Sequence, residues 1–311
     1  MTDKHSPEMQ AIFDLITESG PFRSIEEANR VLASRMREYN ARPQAELGGL
    51  SPDTMQQLLY GDWKSQGALR VDERIALDDL YPSALLADAR TLLEYFQSEG
   101  PVKETAAHNL PRVAVAALLP RLRMPTDAHI VHNTILTTSS NEGDVPWLPE
   151  LRHVLIFGKL LARRKGMRIT PLGRALLSAE RAGELYAHLF RTFFRELDLS
   201  VFGGIDRHSG LQSTLAYSFY MLRSAARDWT SPQMLAQSAW LESAKDPLEV
   251  RDAGHADLRY ISFQLRVLDP LVQFGLLELR PLPSENPWRH DLEYRCAPLF
   301  ERVLHFDFRR G

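Results

Sequence analysis

The sequence predicts a mainly α protein with small β-hairpins, laid out as an N-terminal helical region followed by two copies of one order of elements. Two observations carry this reading. The pattern Arg-x-x-Pro-Leu-x-x-x-x-Leu occurs in "RITPLGRALL" from Arg168 and again in "RCAPLFERVL" from Arg295. Each copy follows a helix-like stretch holding Phe-Gly, at Phe157-Gly158 and at Phe274-Gly275. A strand that leaves a hairpin and enters a helix started by proline accounts for both, because proline at the first helical position forfeits no hydrogen bond.

Length and composition fit several units. At 311 residues the chain exceeds what one hydrophobic core usually supports. The expected divisions are an acidic helical region over 1–82, a first repeated unit over 83–180, a linking helix and Gly-rich connector over 181–211, and a second unit over 212–311. With 44% apolar and 25% charged residues, the composition is that of an ordinary globular chain. No apolar run approaches the roughly 20 residues that cross a bilayer, and "MTDKHSPEMQ" lacks the pattern of a signal peptide. No membrane partner and a cytoplasmic location are therefore expected. The single cysteine, Cys296, excludes an internal disulfide and any multi-cysteine metal site.

The formal charge of −3 is unevenly spread. Residues 1–82 hold 9 basic against 14 acidic side chains, 83–180 hold 12 against 9, and 181–311 hold 16 against 17. Only the middle third is basic. An excess this small is also common in proteins that bind no polyanion.

In the N-terminal region, Ser24 and Glu27 have capping-box spacing ahead of an apolar stripe of Ile25, Ala28, Val31, Leu32 and Met36. Gly48 and Gly49 permit a sharp turn, Ser51 and Pro52 start a second helix, and Met55, Leu58, Leu59 and Trp63 form its apolar stripe. Packing on the rest of the chain is the simpler role for this helix. Tyr60 or Trp63 as a partner's anchor is the other.

The first unit begins with the amphipathic "ALLADARTLLEYFQSEG", then the short strand "PVKET" and a helix in "AAHNLPRVAVAALLPRLR". A third helix, "WLPELRHVLIFG", precedes the strand "KLLAR", a turn "RKG" that uses Gly166 for positive φ, and the strand "MRIT". Thr170 and Pro171 should cap the closing helix. The second unit repeats the order through "LQSTLAYSFYMLRSAARDW", "TSPQMLAQSAWL", "ADLRYISFQLRVLDPLVQFG", "LLELR" and "DLEYRC". Phe157-Gly158 and Phe274-Gly275 stand 117 apart, whereas Arg168 and Arg295 stand 127 apart. A second hairpin ten residues longer is expected.

This order resembles the winged-helix fold, in which three helices are closed by a β-hairpin wing, and "MRITPLGRALLS" looks like the wing exit of many bacterial winged-helix regulators. The resemblance covers about two thirds of the chain and implies tandem winged-helix-like domains. The set "GGLSPDTMQQLLY", "GPVKETAAHNLPR" and "FFRELDLSVFGGIDRHSGLQ" is also similar to a family of uncharacterised bacterial proteins along nearly the whole length. That family usually reads Thr-x-x-Gly-Asn-Leu-Pro in the second motif. Here His108 stands at the Gly position, which removes the residue best suited to a tight turn. Neither resemblance implies a cofactor or an enzymatic activity.

The residues themselves point the same way. There is no phosphate-cradling Gly-rich loop before a helix, no His-Glu-x-x-His and no Gly-x-Ser-x-Gly. Asp127, His129 and His132 place two histidines at i, i+3, but they lie in a polar connector without a fourth ligand. Asp206 and His208 have the types of an acid–base pair in a Gly-rich connector, where a satisfied surface histidine is the simpler reading. Cys296 reads as a small buried residue on a hairpin strand. No cofactor, no metal site and no catalytic residue are expected.

Nucleic-acid binding has better support. A winged helix that reads DNA puts its third helix in the major groove and its wing on the backbone. In the second unit, Leu258, Ile261, Leu265, Leu268 and Val272 form a stripe at spacings 3 and 4, with Arg259, Ser262, Arg266, Asp269 and Gln273 opposite. Arg259, Ser262 and Arg266 are the candidate donors to bases or phosphates, and Pro270 should kink or end the helix. In the first unit, the third helix offers only Glu150, Arg152 and His153, while the wing carries Arg163, Arg164, Lys165 and Arg168, a compact basic tip suited to phosphate. A solvated charged hairpin is the competing reading.

Protein contact is the alternative to DNA. Trp288, on a tip stiffened by Pro281, Pro283 and Pro287, is the candidate partner anchor. The polar stretch over 124–146 is longer than most connections. "ELYAHLFRTFFRELDL" should pack between the two units or against a second chain. The expectation is a non-enzymatic regulator that binds double-stranded DNA, the alternative being an interaction scaffold built on the same surfaces, with oligomers possible in either case.

Overall fold

Helices make up most of the computed structural model, which describes residues 14, 17, 21–65, 67–123, 141–145, 147–199, 209–241, 244, 258–282 and 291–308. In α1 (Ile25–Ala41), Ser24 Oγ accepts from the Glu27 N–H at 3.1 Å, as the capping spacing predicts. The Glu27 carboxylate reaches back to the Arg23 N–H, one residue before the cap. α2 (Pro52–Leu59) starts at Ser51, whose Oγ accepts from the Thr54 N–H at 3.2 Å. Gly48 and Gly49 supply the left-handed turn ahead of it, with φ of 64° and 82°. Trp63 is buried against Phe190 and Phe219, so it belongs to the core and anchors no partner, whereas Tyr60 is 79% exposed.

β1 (Leu69–Val71) ends this region, and its partner strand comes from the far end of the chain. In the first unit, α3 (Ala84–Ser98), α4 (Arg112–Leu118) and α5 (Leu148–Phe157) precede the antiparallel hairpin β2 (Leu161–Arg163) and β3 (Met167–Ile169), then α6 (Pro171–Leu176). Between α3 and α4, Val102 exchanges both backbone hydrogen bonds with Met167 at 2.8 Å and adds a third strand position to the hairpin. Thr170 Oγ1 accepts from the Gly173 N–H and donates to the Lys159 carbonyl, which clamps α6 to the hairpin's base. A Cβ on Gly173 would lie 2.4 Å from the Leu160 carbonyl oxygen, so glycine is needed there for close approach.

α7 (Ala182–Arg191) runs on through a π turn, Thr192–Glu196, and lies between the two units as expected. Phe190 and Phe194 touch Phe219 on one side and Phe274 on the other, with ring centroids 4.8 to 5.6 Å apart across the cluster. The Tyr186 hydroxyl donates to the Phe274 carbonyl at 2.9 Å. One continuous core joins both units and the N-terminal region.

The second unit opens with α8 (Ser209–Ser213), α9 (Leu215–Ala225) and α10 (Pro232–Ala239). Its third helix is α11 (Leu258–Phe263), a π turn at Gln264–Leu268, and α12 (Asp269–Gln273). β4 (Leu277–Pro281) and β5 (Leu292–Cys296) form the hairpin, Thr230 bridges to Tyr294 as Val102 does to Met167, and α13 (Pro298–Val303) closes the unit. β6 (Leu304–Phe306) then pairs antiparallel with β1, a connection that the sequence pattern did not suggest.

Matching backbone bonds fix the register between the units. Leu160 N donates to Leu155 O and Leu276 N to Leu271 O, while Gly158 N donates to Val154 O and Phe274 N to Pro270 O. These partners stand 116 apart, not 117. Lys159, at φ 59°, therefore takes the left-handed position that Gly275 takes at φ 75°. After the hairpins the offset is 127, since Thr170 N donates to Leu160 O and Ala297 N to Leu276 O. The second hairpin is thus eleven residues longer than the first, not ten, because the repeated Phe-Gly is displaced by one position relative to the fold.

Candidate functional site

In the hairpin β2–β3, Arg163 lies opposite Met167, so Arg164, Lys165 and Gly166 form the turn, with Lys165 at φ 57° and Gly166 at φ 100°. Arg163, Arg164, Lys165 and Arg168 are all exposed, and Arg164, Lys165 and Arg168 meet no carboxylate among the described residues. Residues 151–179 carry Arg152, Lys159, Arg163, Arg164, Lys165, Arg168 and Arg174 without one aspartate or glutamate, although Arg152 and Arg163 are balanced by Glu104 and Glu142 from outside that window. Lys159 and Lys103 are exposed as well; an acid-free window longer than the wing itself was the signal for the first.

Arg163 differs from its neighbours. Its Nε is 3.2 Å from Glu104 Oε1, and the same oxygen receives Arg152 Nη1 at 3.0 Å. Arg152 is buried, and it also donates to Glu142 Oε1 at 2.5 Å and to the His108 carbonyl at 3.1 Å. Glu142 is fully buried, and its second oxygen accepts from the Leu110 N–H at 2.7 Å. Two segments, the connector over 104–110 and the turn at Glu142, are thereby pinned to α5. His108 adopts φ 60° and keeps the tight turn despite its Cβ, with His108 N bonded to Thr105 O and Asn109 N to Thr105 Oγ1. Its carbonyl's bond to Arg152 and the two turn bonds hold the residue there.

In the described strands of the second hairpin the arginines are paired. Arg280 pairs with Glu293 at 2.6 Å and Arg295 with Glu278 at 2.5 Å, and both guanidinium groups flank the Trp229 ring at 4.5 and 4.6 Å. Cys296 is half-buried there, its thiol pushed up to about 12 mainly by burial. The hairpin's tip, including Trp288, lies outside the described residues, as do Asp127, His129, His132, Asp206, His208 and most of 124–146.

The expected donor face of the second unit is corrected by the structure. Ser262 has no solvent exposure and its hydroxyl has no hydrogen-bond partner among the described residues, Arg266 is 4% exposed, and Leu265, placed in the buried stripe, is 40% exposed. Ser262 and Arg266 therefore face the interior. The π turn inserts an extra residue into the helical period, so positions after Gln264 rotate away from the faces that regular 3.6-residue spacing assigns. Pro270, which has no N–H and crowds the carbonyl four residues back, sits just beyond the opened ladder. α10 covers α11, with Trp240 stacked on Phe263 at 6.1 Å. The Arg259 side chain lies outside the described part. In the first unit, α5 exposes His153 and Phe157.

A small apolar cavity where the units meet is lined by Leu85, Asp88, Trp147, Glu150, Phe193 and Gln273. Burial pushes the Asp88 carboxyl up to about 6 and raises that of Glu150. Asp88 accepts from the Arg123 N–H at 2.6 Å. Among the described residues, no group of three or more His, Cys, Asp or Glu is placed to hold a metal ion, and no helix is long and apolar enough to cross a membrane.

Fold and site together define a mainly helical chain with two hairpin-closed units, one carrying a hairpin with three basic side chains that meet no carboxylate among the described residues. The family model of the Y4jL N-terminal domain matches residues 81–183, about a third of the chain, from the residues before α3 to the start of α7. The match spans the whole first unit, including its hairpin and the Glu104–Arg152–Glu142 network. Neither a curated protein nor a solved structure matches the chain.

Proposed function

We propose that this chain is a non-enzymatic, cytoplasmic regulatory module with tandem winged-helix-like domains, which holds duplex DNA by its phosphates through the hairpin β2–β3. The observation that carries the reading is Arg164, Lys165 and Arg168 exposed on one short hairpin without carboxylate partners among the described residues. The topology supports it: in each unit three helices, a bridging strand position and a hairpin follow in the winged-helix order. Base reading is not part of the proposal, because Ser262 and Arg266 are buried and α5 offers His153 alone as an exposed polar side chain. Binding should be indifferent to sequence.

Fluorescence anisotropy with a labelled duplex of random sequence tests this. Three phosphate contacts give a slope of log K against log salt of about −2.7, or roughly a 40-fold loss between about 50 and 200 mM salt. The combined variant Arg164→Gln, Lys165→Gln, Arg168→Gln should bring the slope close to zero. Absence of binding by the wild type near 50 mM salt, or a slope unchanged in the variant, overturns the proposal.

Protein contact remains a second reading, favoured by one observation. Each unit exposes an apolar side chain on its second and third helices: Val113 at 74% and Phe157 at 47% in the first, Met234 at 59% and Leu265 at 40% in the second. These are the surfaces on which a DNA reader carries polar donors. Phe157→Asp and Leu265→Asp should leave duplex binding intact; a loss of it would mean that these faces touch DNA.

A further inference from the structure

The shared oxygen of Glu104 bears on how the basic hairpin is regulated, an inference that rests on the phosphate-contact reading above. We propose that Glu104 is a positioning residue that withholds Arg163 from a bound polyanion, so that the hairpin offers three cations to phosphate instead of four.

Glu104 is held from behind. Its side chain is 13% exposed and receives the buried Arg152, which fixes the carboxylate whether or not Arg163 is present. Exposed ion pairs are usually weak, in part because two long side chains must be ordered to form them. Here one partner is already immobile, so Arg163, whose side chain is 45% exposed, loses only its own freedom on pairing. Arg152 does not depend on Arg163: it keeps Glu142 at 2.5 Å and the His108 carbonyl at 3.1 Å. The two arginines and two glutamates balance in charge. Moving Arg163 to a phosphate leaves the cluster with one uncompensated negative charge beside the hairpin, and that charge repels the phosphate. Arg164, Lys165 and Arg168 face no such competitor among the described residues.

Glu104→Gln removes the charge and keeps an acceptor for Arg152. In the duplex assay it should steepen the salt slope by about 0.9, equivalent to one further phosphate and about a threefold larger affinity loss between about 50 and 200 mM salt. Arg163→Gln should leave the wild-type slope unchanged, and Glu104→Gln with Arg163→Gln should return to it. This dependence on Arg163 separates positioning from a general effect on folding. If Glu104→Gln does not fold, Arg163→Gln alone decides: a slope shallower by about 0.9 shows that Arg163 already contacts phosphate and overturns the proposal. A wild type that binds while Glu104→Gln has the same slope also overturns it. Binding by Glu104→Gln with none by the wild type supports withholding and overturns the wild-type reading, whereas no binding by either sinks both.

Discussion

Arg152→Met removes the one cation that the buried Glu142 touches among the described residues. Arg152 donates to Glu142 at 2.5 Å, to Glu104 at 3.0 Å and to the His108 carbonyl at 3.1 Å, and its removal affects the three acceptors unequally. Glu104 keeps Arg163, and His108 lies in an exposed turn. Glu142 has no exposure at all and, among the described residues, retains only the Leu110 N–H at 2.7 Å. Stranding one member of a buried ion pair costs about 3–5 kcal/mol, and nearly all of that should fall on Glu142. The second variant Glu142→Gln should recover all but about 1–2 kcal/mol in the Arg152→Met background, since a neutral amide needs no counter-charge. Urea unfolding followed by far-ultraviolet circular dichroism measures both, provided that the m-value stays constant between variants. A loss below about 1 kcal/mol for Arg152→Met, or no recovery in the double variant, refutes the claim that this network holds the first unit together.

Two further predictions concern stability. Because burial holds Asp88 at about 6 against an ordinary 3.8, the folded chain keeps a proton there that the unfolded chain releases, and stability falls as pH rises through that window. Asp88→Asn still accepts from the Arg123 N–H and removes the fall, gaining up to about 3 kcal/mol near pH 7 and little below pH 4; parallel pH profiles of the two proteins would refute this. Gly173→Ala places a Cβ 2.4 Å from the Leu160 carbonyl and should destabilise by about 1–3 kcal/mol through displacement of the hairpin's base, read as a lower thermal midpoint; a midpoint equal to the wild type's contradicts the close approach.

The features legible in the sequence were those set by neighbouring residues. Ser24, Ser51 with Pro52, and Thr170 with Pro171 start helices because their side chains and fixed φ act within one turn. The β2–β3 turn was visible in Gly166, and its cations are exposed as expected. Properties set at a distance were not. A π turn has no periodic signature, so Arg266 within it was placed outside; Ser262, ahead of the turn, was placed outside because the cover that α10 gives α11 is tertiary. Arg152 was noticed only as a polar residue of its helix, since Glu104 and Glu142 meet it through tertiary packing alone. The indole of Trp63 looked available for a partner because Phe190 and Phe219, which cover it, lie far along the chain.

The pairing of Leu69–Val71 with Leu304–Phe306 has a consequence for biosynthesis. Ribosomes add about 5–20 residues per second, so β1 emerges on the order of ten seconds or more before the strand that completes its sheet. Throughout that interval Leu69 and Val71 lack their cross-strand neighbours, and a nascent chain stalled ahead of Leu304 exposes an unmatched edge to whatever chaperone or protease reaches it first.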